Sequence, residues 1–139
     1  MFGITGFVHF QVIHRTHSWL KLKRFNKTQK LMVGLYAAAM AHIFEAGLYA
    51  IAFLVGSGSG LGGFKPSDNS LMETFYFSLV NYTSLGLGDI YPTGHLRFLA
   101  GIESLNGFLL ISCSASLIFI LMTETDESRE QSKPKSQNA

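Results

Sequence analysis

The stretch Thr83, Ser84, Leu85, Gly86, Leu87, Gly88, Asp89, Ile90, Tyr91, Pro92 alternates glycine with leucine and then turns acidic. An ordinary strand points successive carbonyls to opposite sides. Glycine reaches positive φ without steric cost, so Gly86 and Gly88 allow the carbonyls of Ser84, Leu85, Gly86 and Leu87 to be turned the same way. A column of such oxygens, with the Ser84 hydroxyl beneath it, can replace the water around a cation such as potassium. One chain supplies a quarter of each ring of oxygens, so the reading requires a symmetric homotetramer around an ion path.

The residues around this stretch fit that requirement. Leu71 to Thr83 has the apolar density of a helix of about three turns, with Asp68 or Ser70 as its N-cap. It is too short to span a bilayer, and its C-terminal end, which carries partial negative charge, meets the glycine-rich stretch. Non-helical backbone at membrane depth is tolerated only where it lines a cavity. Asp89 follows at the outer mouth, where four carboxylates would concentrate cations.

Two long apolar segments flank this unit. Leu31 to Val55 is 25 residues with His42 and Glu45 as its polar exceptions, and Phe98 to Met122 is 25 residues with Glu103 alone charged. At about 1.5 Å per residue each exceeds the roughly 30 Å of bilayer hydrocarbon. The whole chain is 47% hydrophobic and 14% charged, where an ordinary soluble domain has roughly 25% charged residues. Residues 1 to 30 hold six basic residues and no acidic one, whereas the connection from Gly56 to His95 sets Lys65 against Asp68, Glu73 and Asp89. The positive-inside rule then predicts a multi-pass protein with both termini cytoplasmic and the connection outside. The basic run reads as a topology signal rather than a nucleic-acid patch, so no nucleic-acid partner is expected.

Residues 1–30 form an amphipathic, basic segment, expected to hold a short interfacial helix over Met1 to Leu20 on the inner leaflet. Its histidines, His9, His14 and His17, have no carboxylate nearby in sequence and read as incidental rather than as a metal site or pH sensor. Gly56 to Gly63, GSGSGLGG, has the composition of a flexible exposed loop. Gly58, Gly60 and Gly63 satisfy a dinucleotide-type glycine pattern, but no strand precedes them and no helix follows. Cys113, the single cysteine, excludes an internal disulfide. Residues 123–139 are polar and expected to be a disordered cytoplasmic tail.

Phe75 to Met122 resembles the pore domain of the small bacterial potassium channel family. Its filter, threonine-valine-glycine-tyrosine-glycine-aspartate, aligns with Ser84, Leu85, Gly86, Leu87, Gly88 and Asp89, and Pro92 matches the proline beyond it. Arg97 resembles the arginine opening the inner helix, Gly107 falls where the family has its gating-hinge glycine, and Ala41 to Phe53 resembles the first helix of small members. Leu87 replaces the tyrosine whose hydroxyl braces the filter, as in the similar filters of eukaryotic two-pore-domain channels. Val80 stands where some members place a glutamate that bonds the filter aspartate. The resemblance implies an all-α membrane protein: a pore domain over residues 31–122, with a first span at 31–55, a re-entrant pore helix at 70–83, a selectivity filter at 84–89 and a second span at 97–122. It implies a passive potassium channel in the plasma (inner) membrane, assembled as a homotetramer in lipid. Potassium would bind at Ser84, Leu85, Gly86 and Leu87 with Gly88 completing the filter, no cofactor would be needed, and no enzymatic activity is expected.

The remaining polar residues in the spans read as internal pairs. His42 and Glu45, one helical turn apart, are expected to bond each other or a pore-helix group. Glu103 is expected to pack behind the filter. Asn106, Ser112 and Ser114 are expected to bond between helices, and Gly101, Gly107, Ser112 and Ala115 suit close helix packing. Three other readings stand beside the channel. Gly86 to Asp89 also reads as the G-x-G-D of an intramembrane aspartyl protease, but that chemistry needs a second aspartate inside the membrane, and Asp68 and Asp126 fall outside the spans. A weakly selective cation channel and a non-conducting accessory protein keep the fold and change the function.

Overall fold

The computed structural model describes residues 1–66 and 70–130, with side chains as far as residue 123. Four helices, α1 (Phe2–Leu22), α2 (Lys27–Gly58), α3 (Leu71–Tyr82) and α4 (Leu96–Glu130), are joined with two short strands, β1 (Phe64–Lys65) and β2 (Tyr91–Pro92). Among the described residues, Lys27–Gly58 and Leu96–Thr123 are helices long and apolar enough to cross a membrane.

The short helix is capped as its sequence requires. Ser70 Oγ accepts from the Glu73 backbone N–H at 3.2 Å, satisfying one of the donors a helix start leaves open; the alternative cap, Asp68, lies outside the described residues. From there α3 wedges between α2 and α4. Its inner face adds Phe77 and Tyr82 to a core of Ala46, Tyr49, Phe53, Phe64, Leu96 and Ala100. Phe53 meets Phe77 edge to face at 5.3 Å between ring centroids, within the favoured range for aromatic pairs.

β1 precedes α3 and β2 comes after the glycine-rich stretch, and the two pair antiparallel, Phe64 opposite Pro92 and Lys65 opposite Tyr91. The chain therefore leaves and returns at one end of the bundle. The Thr93 hydroxyl engages Gly63 at both N and O, each at 3.0 Å, and the His95 N–H donates to the Leu61 carbonyl at 2.7 Å. This corrects the expectation of a flexible loop over Gly56 to Gly63: α2 continues to Gly58, and Leu61 and Gly63 are hydrogen-bonded to the residues that lead into α4. Glycine is needed at Gly62, where a Cβ would collide with the Thr93 carbonyl, and at Gly94, where it would lie 2.5 Å from the Leu61 carbonyl.

The N-terminal helix departs further from expectation. It does not lie across one end of the bundle but runs antiparallel to α2 along its length. Met1 and Phe2 sit with Gly56 and Leu96 at one end. Asn106 Nδ2 reaches Thr5 Oγ1 at 2.5 Å, His9 meets Glu45 farther along, and Leu20 packs on Leu117 and Leu121 at the other end. Met1 and the C-terminal part of α4 are thus at opposite ends of the bundle. The physical reason is that the polar residues of α1 find partners inside. Thr5 and His9 are buried, while Phe7 and Phe10 are 64% and 61% exposed. A soluble helix has the reverse arrangement.

α4 also outruns its expected end at Met122 and stays helical to Glu130. No glycine or proline interrupts the sequence between Thr123 and Pro134, so propensity allows the helix to continue. The helix thus takes in Thr123 to Glu130 of the segment expected as a tail, and residues 131–139 lie outside the described residues.

Candidate functional site

The glycine-rich stretch leaves the C-terminal end of α3 in an alternating backbone. Ser84, Gly86 and Gly88 have positive φ of 59°, 56° and 80°, while Leu85 and Leu87 between them do not. Positive φ at Gly86 and Gly88 is the conformation that glycine adopts without steric cost. Ser84 was not foreseen in this role. A non-glycine residue at positive φ costs about 1–2 kcal/mol, and such strain persists only where surroundings hold it. The Ser84 hydroxyl is held 2.9 Å from the Ser104 hydroxyl of α4.

The residues from Thr83 to Asp89 are all exposed on the single chain. Among the described residues, no backbone N–H outside the regular elements donates to the carbonyls of Ser84 to Gly88. A row of carbonyls without such partners is stable only where something else meets it.

Both ends of the stretch are tied to the scaffold. At the outer end the Tyr76 hydroxyl donates to Asp89 Oδ2 at 2.8 Å. That hydrogen bond, with desolvation and the negative charge beside it, raises the Tyr76 phenol above its ordinary range. Tyr76 lies one helical turn before Val80, the position where sequence comparison sought an aspartate-bonding residue. The sequence signal for it was a tyrosine at i−4 on the same helix face.

Behind the stretch, Glu103 of α4 is fully buried. It accepts from Asn81 Nδ2 at 2.6 Å and meets Ser78 Oγ as well. Asn81 also reaches the Ala100 carbonyl at 2.9 Å, and Ser78 reaches the Ala46 carbonyl of α2 at 2.6 Å. Glu103 therefore pins α3 to α4. Gly107 brings the same two helices into contact: a Cβ there would collide with the Tyr82 carbonyl. The helix runs unbroken through Gly107, and this close approach is a packing reason for glycine at a position read from sequence as a hinge.

At the inner end, Tyr82 donates to Glu45 Oε2 at 2.5 Å and its hydroxyl lies 3.1 Å from His42 Nδ1. The expected link of His42 and Glu45 to each other and to the short helix is thus present, with His42 Nδ1 3.4 Å from Glu45 Oε2. His9 was missed. Expected to be incidental, it is buried, with Nδ1 3.0 Å from Glu45 Oε1. The signal was available in Glu45, an intramembrane carboxylate that needed a partner.

Other expectations divide. Asn106 bonds Thr5 and Tyr49, and Ser114 bonds His42 and His9, all between helices. Ser112 instead donates to the Phe108 carbonyl of its own helix at 2.8 Å. A Cβ on Gly101 would meet nothing within 4 Å, so its smallness serves no contact within the described chain. Arg97 reaches the Pro92 carbonyl at 3.4 Å. Cys113 is exposed, as lipid-facing filler would be.

A family model described as an ion channel matches residues 31–124, about two thirds of the 139-residue chain. The match takes in α2, α3, the glycine-rich stretch and the apolar part of α4, and begins after α1. No curated protein and no solved structure matches the chain significantly.

Proposed function

The chain belongs to this ion channel family, of the two-transmembrane potassium-channel pore type, and from that premise we propose that four copies form a potassium-selective channel conducting passively across the plasma membrane. The observation that carries the proposal is the backbone at Ser84, Gly86 and Gly88, where positive φ recurs at every second residue. Four such stretches around an axis supply stacked rings of oxygens from Ser84, Leu85, Gly86 and Leu87, with Gly88 closing the filter. A potassium ion exchanges its water for these rings and moves between near-equivalent sites.

The scaffold supports this role. α3, re-entrant in this reading, directs the partial negative charge of its C-terminal end toward the ion path. Asp89 forms an acidic ring at the mouth, fixed by Tyr76. Ser104 holds Ser84 against α4 and Glu103 holds α3 there, so the oxygens do not collapse on an ion of the wrong size.

In the membrane, α1 becomes a third crossing helix. Its 21 residues at about 1.5 Å each match the roughly 30 Å hydrocarbon thickness. Lys21, Lys23, Arg24, Lys27 and Lys30 then cluster in the α1–α2 turn, which the positive-inside rule assigns to the cytoplasm. Met1 is therefore outside and the C-terminal part of α4 inside.

A weakly selective cation channel is the second reading, and Leu87 favours it: the side chain is 58% exposed and has no hydroxyl with which to brace the filter. Potassium flux through purified protein in liposomes, with barium as blocker and Gly86→Asp as control, tests the proposal. Barium-sensitive flux lost in the variant is expected; flux that survives the variant would remove the filter from the account. Reversal potentials in mixed potassium and sodium separate the two readings.

A further inference from the structure

We infer that His9, His42, Glu45 and Tyr82 form a binding site for a divalent first-row transition ion of the zinc class, inside the helix bundle and next to the filter. The donors come from three helices: His9 from α1, His42 and Glu45 from α2, and Tyr82 from the end of α3. One nitrogen or oxygen from each of His9, His42 and Glu45 falls within a 4.8 Å cluster.

The spacing is within a few tenths of an ångström of a metal site at the two histidines. Zinc bonds of about 2.0–2.2 Å in tetrahedral geometry set neighbouring donor atoms about 3.3–3.6 Å apart. Here His9 Nδ1 is 3.0 Å from Glu45 Oε1, and His42 Nδ1 is 3.4 Å from Glu45 Oε2. The Tyr82 hydroxyl, 3.1 Å from His42 Nδ1 and 2.5 Å from Glu45 Oε2, would take the fourth position by moving away from the carboxylate as its hydrogen bond is given up. Two imidazoles with oxygen donors are a ligand set of the zinc type. If Tyr82 releases its proton to solvent on coordination, the ion's two positive charges are balanced by two negative ones.

The outer partners are those that metal-bound histidines require. The two imidazoles stack with centroids 5.0 Å apart. Both turn Nδ1 toward Glu45 and Nε2 toward one atom, Ser114 Oγ, at 3.0 Å for His42 and 3.3 Å for His9. With both Nδ1 atoms donating to the Glu45–Tyr82 side, both Nε2 atoms would be acceptors facing a single hydroxyl hydrogen. One of them then lacks a partner unless an additional proton enters or His42 takes the other tautomer, donating from Nε2 to Ser114 Oγ and facing the Tyr82 hydroxyl with Nδ1. With both Nδ1 atoms on a metal, both Nε2–H groups donate to the two lone pairs of Ser114, which fixes tautomer and ring orientation as metal-bound histidines require. Glu45 and His9 are buried, while the His42 side chain, 17% exposed, gives access. His9 lies outside the family match, so the site needs the added helix.

The test is made on the purified full-length chain after chelator treatment, by cobalt(II) absorption and zinc displacement, and does not depend on ion conduction. The expected result is about one ion per chain with the intense visible bands of low-coordinate cobalt, displaced by zinc. His9→Asn and His42→Asn should each lower affinity at least about 100-fold, Ser114→Ala about 10–100-fold as an outer-sphere change, and His14→Asn should leave it unchanged. Wild-type protein that takes up no cobalt or zinc overturns the inference, since a proton or the other His42 tautomer then suffices to complete the network. Binding that persists in both His9→Asn and His42→Asn overturns it as well.

Discussion

Replacing Glu103 tests how the pore helix is held. In Glu103→Ala, Asn81 and Ser78 lose their common partner on α4 but keep the Ala100 and Ala46 carbonyls, at 2.9 and 2.6 Å. No buried donor is orphaned, so the largest penalties do not apply. Interhelical hydrogen bonds in membranes contribute about 0.6 kcal/mol on average and up to about 1.7. Two of them, with the cavity left by a fully buried side chain, give an expected loss of about 2–4 kcal/mol. Glu103→Gln should cost far less. The Ser78 hydroxyl has one hydrogen and faces two acceptors, Ala46 O and Glu103 Oε1. A glutamine amide can donate to Ser78 Oγ, freeing that hydrogen for Ala46, and its carbonyl can still accept from Asn81. About 0.5–1.5 kcal/mol is expected. Unfolding in mixed micelles titrated with SDS measures both, and liposome flux should fall in the same order. An alanine variant within about 0.5 kcal/mol of the parent, or a glutamine variant as damaged as the alanine one, would refute the anchoring role.

Other substitutions probe separate parts of the account. Tyr76→Phe removes the donor to Asp89 while keeping the ring, so potassium flux should decay faster and sodium should compete better in mixed-ion reversal potentials. Gly107→Ala forces α4 away from the Tyr82 carbonyl and should destabilise the protein by about 1–3 kcal/mol, measured by the same SDS titration; an unchanged midpoint would mean that the two helices are not in contact there. Gly86→Ala places a Cβ at a φ of +56°, a strain of about 1–2 kcal/mol, and should abolish flux while leaving the oligomer seen by native mass spectrometry intact. A cysteine placed at Phe2 should react with an impermeant maleimide from outside intact cells, whereas one at Lys23 should not; the reverse pattern would contradict the orientation.

The parts legible in the sequence were those with local causes. Alternating glycine forces a backbone choice at Gly86 and Gly88, Ser70 caps the helix it precedes, and apolar length marks α2 and α4. What escaped depended on partners distant in the chain. The polarity of α1 pointed to an interfacial helix, and its packing along α2 depends on Thr5 meeting Asn106 and His9 meeting Glu45. The loop after α2 read as slack because the hydrogen bonds of Gly63 and Leu61 go to Thr93 and His95, roughly 30 residues on. Tyr76 was passed over because the brace on Asp89 was sought one helical turn later, at Val80.

A map of the purified protein in potassium, at a resolution that shows carbonyl oxygens, bears most directly on the central claim. Four chains related by one axis are expected, with ion density on that axis between rings of oxygens from Ser84, Leu85, Gly86 and Leu87. Any other stoichiometry, or those carbonyls turned away from a common axis, would contradict it.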